Sequence, residues 1–425
     1  MSDFQAEVFQ NEFLPSGAET VDAIVTVRSG ESGTAAGPAT DMLQMMVIDT
    51  SGSMTEEGGR KIRAARAATQ AAVDTIRDGA YFAVVGGHSE AYMIYPHQGL
   101  AVASPQTRGE AKERIGRVEA QGGTAIGTWL QAAAYLAGLQ PQAIAHAVLL
   151  TDGKNQHEEQ WVLDKTIAAC NGLFQCDARG LGADWNIEEL RRVASGLLGT
   201  VDIIPRSEDL EAEFTRLTEA AMGRNVGSVE LRLWTPKGSH VEFVKQVAPN
   251  LEDLTTTAKA VNELTRDVPL GAWSGNEERD YHLRIKIPVG AVGDERLAAR
   301  VMLMVDGADQ PAALVRAIWT DDDGLSTRIN REVAHYTGQA ELADVIHDGL
   351  AARDRGDQAT ATVKLGRAVQ IANAAGNEDT VRLLAKVVEV DDAESGTVRL
   401  RRDVERTDEM ALDVRSTRTV RVGGQ

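Results

Sequence analysis

The stretch Met42-Leu43-Gln44-Met45-Met46-Val47-Ile48-Asp49-Thr50-Ser51-Gly52-Ser53-Met54 decides the fold. Its apolar run carries one polar interruption and stops abruptly at a carboxylate followed by two spaced hydroxyls. A run without polar alternation suits a strand of a parallel sheet that is covered on both faces. Gly52 permits a tight turn between the serines, Gly58 and Gly59 loosen the loop, and a helical pattern begins near Arg60 with Ile62, Ala65, Ala72, Val73 and Ile76 on one face. Strand, polar loop and helix make half of a βαβ unit. In open α/β sheets ligands bind outside the carboxyl ends of the strands, which is where Asp49, Ser51 and Ser53 fall.

Two further stretches point at the same rim. Ala145-His-Ala-Val-Leu-Leu-Thr151 reads as a second parallel strand and ends in Asp152-Gly153, while Gly122-Gly123-Thr124 is a flexible turn ahead of a helical stretch over 125–138. Three separate loops thus offer Asp49, Ser51, Ser53, Thr124 and Asp152. Clusters of Asp, Ser and Gly also make ordinary turns. The metal reading rests on all three loops following apolar strands or opening helices, in order.

Asp-x-Ser-x-Ser at 49–53, Gly-Gly-Thr at 122–124 and Thr-Asp-Gly at 151–153 together resemble the metal-ion-dependent adhesion site of von Willebrand factor A (vWA) domains, and the resemblance covers roughly residues 41–222. All five positions of that family's motif are filled. The resemblance implies that Ser51, Ser53 and Thr124 touch Mg²⁺ (or Mn²⁺) directly, with Asp49 and Asp152 holding bound waters. Mg²⁺ demands six oxygen ligands and retains waters, so three hydroxyls and two waters would leave one position open. With both carboxylates one layer out, the ion would keep much of its positive charge. An Asp or Glu side chain of a partner protein is then the natural sixth ligand. His88, following Gly86-Gly87, and Lys154-Asn155 fall on the same rim and are candidates for the partner surface. His88 is not expected to ligate, because hydroxyl and water oxygens suffice.

The whole chain has 425 residues, 43% hydrophobic and 25% charged, which is ordinary for soluble globular protein and enough for about two or three domains. Its formal net charge of −19 argues against binding to a nucleic-acid backbone. No stretch approaches the length of apolar sequence that spans a membrane, and Met1-Ser-Asp-Phe-Gln-Ala-Glu-Val8 lacks the basic start and apolar core of a secretory signal. Cys170 and Cys176, without neighbouring histidines at ligand spacing, read as packing residues in a reducing cytoplasm.

The expected fold class is multi-domain: a doubly wound, mostly parallel α/β sheet, an all-β sandwich and a helical bundle. Residues 1–40 would hold one alternating strand, 21–28, and a Gly/Ser/Thr/Ala-rich linker. The vWA-like domain would span 41–222, with strands at 81–85, 91–95, 173–181 and 201–204 between helices. Period-two alternation over 225–320 predicts the sandwich, with strand 21–28 completing it. Helices over 327–336, 339–355, 358–375 and 378–389 would fill a bundle at 325–390, with Asp357 and Asn377 as N-caps after Gly356 and Gly376. Residues 394–425 read as a charged, flexible tail in which Thr417 and Thr419, among Arg415, Arg418 and Arg421, are candidate phosphorylation sites.

Neither a phosphate-binding Gly-x-x-x-x-Gly-Lys-Ser/Thr loop nor a Gly-x-Ser-x-Gly elbow occurs. A metal-dependent hydrolase or phosphatase is the alternative, but Ser51 stands where an Asp-x-Asp phosphatase would carry its second carboxylate. The expectation is a non-enzymatic, metal-dependent protein-interaction module in the cytoplasm. The resemblance implies partners of the kind that stand-alone bacterial proteins of this type often work with: AAA+ ATPases, or kinases, phosphatases and phosphothreonine-binding proteins in signalling and stress response.

Overall fold

A computed structural model describes residues 4–30, 41–310 and 313–422. Most of the expected 29–40 linker lies outside the described residues. The chain divides into two compact units: one comprises Thr34–Gly227 with Gly271–Gly275, the other Met1–Gly33, Ser228–Leu270 and Asn276–Gln425. Three strands, β1 (Phe4–Gln10), β2 (Phe13–Pro15) and β3 (Thr20–Ser29), begin the latter unit.

The former unit runs β4 (Met42–Asp49), α1 (Glu56–Thr75), β5 (Tyr81–Gly87), β6 (Ala91–Tyr95), β7 (Ala101–Val102), α2 (Pro105–Gly116), α3 (Ile126–Gly138), β8 (Ile144–Thr151), α4 (Gln160–Cys170), β9 (Gln175–Leu181), α5 (Ile187–Gly196), β10 (Val201–Ile204) and α6 (Leu210–Met222). The sheet order is β10-β9-β8-β4-β5-β6, with β7 also on β5. The five strands from β10 to β5 pair in parallel, whereas β6 and β7 are antiparallel to β5. Every residue of β4 and β8 is buried, which is why their sequences lack polar alternation. On one face Met42, Met46, Ile48, Val148 and Leu150 pack against Ile62, Ala65 and Val73 of α1, Ile115 of α2 and Phe214 of α6. Glu57, Gly58 and Gly59 carry positive φ, so regular helix in α1 starts at Arg60. After β4 the chain proceeds to β5 on one side and later returns to β8 on the other. The switch point of the sheet therefore lies between β4 and β8, whose carboxyl ends carry Asp49 and Asp152.

The remaining elements are β11 (Arg224–Trp234), β12 (His240–Ala248), β13 (Glu252–Asp253), β14 (Lys259–Asn262), β15 (Thr265–Ser274), β16 (Glu278–Lys286), β17 (Glu295–Val305), β18 (Ala308–Gln310), β19 (Leu314–Thr320), α7 (Asp323–Ser326), α8 (Arg331–Asp354), α9 (Gln358–Ala374), α10 (Glu378–Val387), β20 (Val388–Asp392), β21 (Thr397–Leu400) and α11 (Arg406–Arg415). One sheet has the order β1-β3-β16-β12-β13 and another β14-β15-β11-β17-β19-β2, with β18 on β17. β3 pairs with β16 in register from Arg28↔Glu278 to Thr20↔Lys286, so the early strand at 21–28 is hydrogen-bonded to strands far along the chain. Asp357 and Asn377 cap α9 and α10 by accepting from Thr360 N and Thr380 N, each at 3.1 Å.

Two readings of the sequence need correcting. Gly338 does not divide the region 327–355, because α8 continues through it as one helix with Tyr336, Leu342, Ile346 and Leu350 buried. The segment 394–425 is not a flexible tail through its described length. It contributes β21 and α11, and Val398 and Leu412 enter one core with Leu365, Val369, Leu384 and Val387. Beyond α11, Leu251 N donates to Thr417 O at 2.7 Å and Thr419 N to Pro249 O at 3.1 Å.

Candidate metal centre

Asp49 ends β4 and is fully buried. Its Oδ1 accepts from Ser51 N at 2.7 Å and its Oδ2 from Thr151 Oγ1 at 2.6 Å. Burial pushes its carboxyl up to about 6, against these hydrogen bonds, and the neighbouring Asp152 charge adds to the rise. A carboxylate held this way is a fixed acceptor at the strand end, with both oxygens already engaged.

The turn after Asp49 brings the two serine hydroxyls together, Ser51 Oγ lying 2.9 Å from Ser53 Oγ. Ser53 Oγ also donates to Asp152 Oδ1 at 2.5 Å, which joins the loop after β4 to the loop after β8. Thr124 arrives from a third loop. Gly52 N donates to Gly122 O at 2.9 Å, locking that loop onto the serine turn, and a side chain added at Gly153 would touch both Ser53 Oγ (3.5 Å) and Thr124 Oγ1 (3.7 Å). All five motif residues thus meet at the switch point.

The donor set suits a hard cation. Among the described residues no group of three or more His, Cys, Asp or Glu gathers as a metal site. What gathers instead are hydroxyls backed by two carboxylates, oxygen ligands of the kind Mg²⁺ and Mn²⁺ take. Oxygens occupying adjacent octahedral positions around Mg²⁺ are separated by about 2.9 Å, given metal–oxygen distances of about 2.0–2.1 Å. The Ser51 and Ser53 hydroxyls are hydrogen-bonded to each other at 2.9 Å, a separation that such a shell accepts without moving either side chain apart. Ser51, Ser53 and Thr124 would hold the ion, Asp49 and Asp152 would orient its waters, and the bound ion would supply a Lewis-acidic position for an external oxygen.

Two residues of this centre carried no role in the sequence reading. Thr151 orients Asp49, and its signal is its place in Thr-Asp-Gly directly before Asp152. Lys61, a buried residue of α1, donates from Nζ to Asp152 Oδ2 at 2.8 Å and to Glu56 Oε2 at 2.9 Å. Burial disfavours its charge, but the bonds to Asp152 and Glu56 outweigh that and raise the ammonium above its ordinary value.

The expected partner residues separate. Lys154 is exposed. His88 is half-buried; its Nδ1 accepts from Glu90 N at 3.1 Å, and its carbonyl accepts from Trp129 Nε1 at 2.8 Å. Asn155 does not belong to an outer surface. It is buried, accepting from Ile126 N at the start of α3 (3.1 Å) and donating to Glu158 Oε2 (3.1 Å). His157 does reach the rim: it is exposed, and its Nδ1 accepts from Thr124 N at 3.3 Å. Thr417 and Thr419 are half-buried, and their hydroxyls donate to Val414 O (3.0 Å) and Val247 O (2.6 Å). That removes the premise of an accessible threonine-bearing tail.

Cys170 and Cys176 are buried free thiols. Burial raises Cys170 to about 11 and pushes Cys176 up further, with the Asp177 charge adding to the second shift. Both therefore pack as unreactive thiols.

An open α/β domain with hydroxyl and carboxylate oxygens from three loops at its switch point is the class that fold and site define. Residues 45–203 match the family described as von Willebrand factor type A domain, and residues 370–416 match the von Willebrand factor type A C-terminal domain. A solved structure, von Willebrand factor type A from Catenulispora acidiphila, is 45% identical, covers 99% of this chain and 98% of that chain, and superposes with a TM-score of 0.91. The chain belongs to the von Willebrand factor type A family. The ArnB paralog VWA2 from Sulfolobus acidocaldarius, 14% identical over 96% of this chain and 97% of that chain with a TM-score of 0.58, shares the fold. No curated protein matches the chain. No helix among the described residues is long and apolar enough to cross a membrane.

Proposed function

We propose that this protein is a non-enzymatic, divalent-metal-dependent protein-interaction module of a cytoplasmic bacterial signalling or stress-response assembly. Ser51, Ser53 and Thr124 hold Mg²⁺ or Mn²⁺, Asp49 and Asp152 orient its waters, and an Asp or Glu side chain of a partner protein fills the open position. The observation that carries this reading is the convergence of three hydroxyls and two carboxylates at one switch point, with the Ser51–Ser53 oxygens 2.9 Å apart. The non-enzymatic reading draws support from Asp49, the residue a phosphatase would use as nucleophile. It is fully buried with both oxygens hydrogen-bonded, an arrangement that suits a fixed acceptor better than an attacking nucleophile. The sheets built around β3–β16 and β11–β17 act as a β-sandwich, and α8–α11 as a helical bundle, offering further docking surfaces. AAA+ ATPases, kinases, phosphatases and phosphothreonine-binding proteins are the partner classes to be sought.

Affinity capture from the native host, run in parallel with Mg²⁺ and with EDTA, tests the reading. Partners retained in Mg²⁺ and lost both in EDTA and from an Asp49→Ala bait are expected. Partners retained equally under all three conditions would overturn metal-dependent capture.

A further inference from the structure

Asp152 is held from two sides. Its Oδ1 takes the Ser53 hydroxyl at 2.5 Å, while its Oδ2 takes the Lys61 ammonium at 2.8 Å. Lys61 Nζ is also 2.9 Å from Glu56 Oε2. The Lys61 side chain is 6% exposed and that of Asp152 0%, so this pair is shielded from solvent, whereas Glu56 is 59% exposed. Lys61 sits in the first regular turn of α1, just past the positive-φ residues Glu57, Gly58 and Gly59 that bend the chain back towards the rim. A fixed positive charge is therefore built one carboxylate away from the serine hydroxyls.

We infer that Lys61 is a tethered cation that sets the charge of the metal centre, weakening the hold on the divalent ion while keeping the rim folded without it. This rests on the metal-site reading above. Two physical effects give its two halves. Asp152 would be a buried, uncompensated carboxylate without Lys61, so the ammonium maintains the empty fold. A divalent cation entering beside Asp152 meets a like charge already neutralising that carboxylate, and binds more weakly than it would to Asp152 alone. Lys61 offsets one of the negative charges of Asp49, Asp152 and the exposed Glu56, so a centre holding a dication is one charge more positive with Lys61 than without it. A partner's carboxylate is attracted more strongly to the more positive centre.

The test uses the full-length chain as wild type, Lys61→Met and Lys61→Arg. Mn²⁺ affinity is measured by calorimetry, and thermal unfolding in EDTA and in saturating Mn²⁺. Lys61→Met is expected to bind Mn²⁺ about tenfold tighter than wild type, to melt lower in EDTA, and to recover the wild-type melting temperature in Mn²⁺. Lys61→Arg, which keeps the charge, is expected to bind within a few-fold of wild type. If wild type binds Mn²⁺ and Lys61→Met binds it equally or more weakly, the inference is overturned while the metal site stands. Equal destabilisation in EDTA and in Mn²⁺ would likewise reduce Lys61 to a structural ion pair. Absence of Mn²⁺ binding by all three proteins would overturn the metal-site reading and the inference together.

Discussion

Gly87→Ala probes how the sheet positions the metal loops. Gly87 ends β5 beside Asp49, and its carbonyl accepts from Thr50 N at 2.7 Å. A Cβ at Gly87 would fall inside the Trp129 indole, far closer than atoms can approach. Trp129 has no room to retreat: it is fully buried in α3, and its Nε1 donates to His88 O at 2.8 Å. Accommodating one methyl would require the ring to shift by roughly 1 Å, given carbon contacts of about 3.5–4.0 Å. Overpacking of this kind costs about 1–3 kcal/mol, and the strained indole hydrogen bond about 0.5–1.5 kcal/mol, so the expected destabilisation is about 1.5–4.5 kcal/mol. Because α3 begins just after Thr124, the same displacement should weaken Mn²⁺ binding. Gly109→Ala is the control, since Gly109 lies inside α2 with no atom within 4 Å of a new Cβ. It should stabilise by about 0.4–1 kcal/mol. Thermal and urea unfolding of both variants, with Mn²⁺ titration of each folded protein, provides the assay. A Gly87→Ala protein as stable as wild type would refute the packing argument.

Two further outcomes are expected. Asp177 is buried with His146 Nε2 at 2.8 Å and accepts from Thr200 N at 2.7 Å; burial alone would raise its carboxyl, but the His146 bond and the charges of Arg179 and Arg224 hold it well below the usual carboxylate range, while burial also lowers His146 and keeps the imidazole neutral. Asp177→Ala should cost about 3–5 kcal/mol at pH 7. The Asp177 contribution is fully present above the ordinary carboxylate value near 4 and is lost as pH falls below it, so wild type and variant should converge in urea melts only in acid. Leu412→Ala, at a fully buried position of α11, should cost about 2–5 kcal/mol by equilibrium unfolding, whereas a neutral result would restore the flexible-tail reading of residues 394–425.

What was legible in the sequence follows from where each element is buried. β4 and β8 announce themselves because both faces of their sheet are covered, and Asp49 and Asp152 stand out as carboxylates ending apolar runs. β6 was readable as a strand at 91–95. β1 was not, because as an edge strand it buries only Phe4 fully and its alternation is weak. β15 is hidden by Pro269 and Gly271, residues that ordinarily break strands. α8 runs through Gly338 because packing of Leu342, Ile346 and Leu350 overrides the local cost of one glycine. α11 escaped because Met410, Ala411, Leu412 and Val414 are buried almost consecutively, without the spacing of a single helical face. At the candidate metal centre the hydroxyls and carboxylates follow sequence spacing, but Lys61 does not. Its role depends on the loop before α1 turning it towards a residue 91 positions away.

Calorimetric titration of Mg²⁺ and Mn²⁺ into wild type and Asp49→Ala, with folding of the variant checked by its melting curve in EDTA, tests the central claim most directly. Asp49 anchors the serine turn by accepting from Ser51 N and on the proposed reading would orient a metal-bound water; loss of such a supporting carboxylate typically costs about 10–100-fold in metal affinity. The account predicts saturable one-site binding by wild type and a loss of that size in a folded Asp49→Ala protein. Equal affinity in the two proteins, or no binding by wild type, would contradict it.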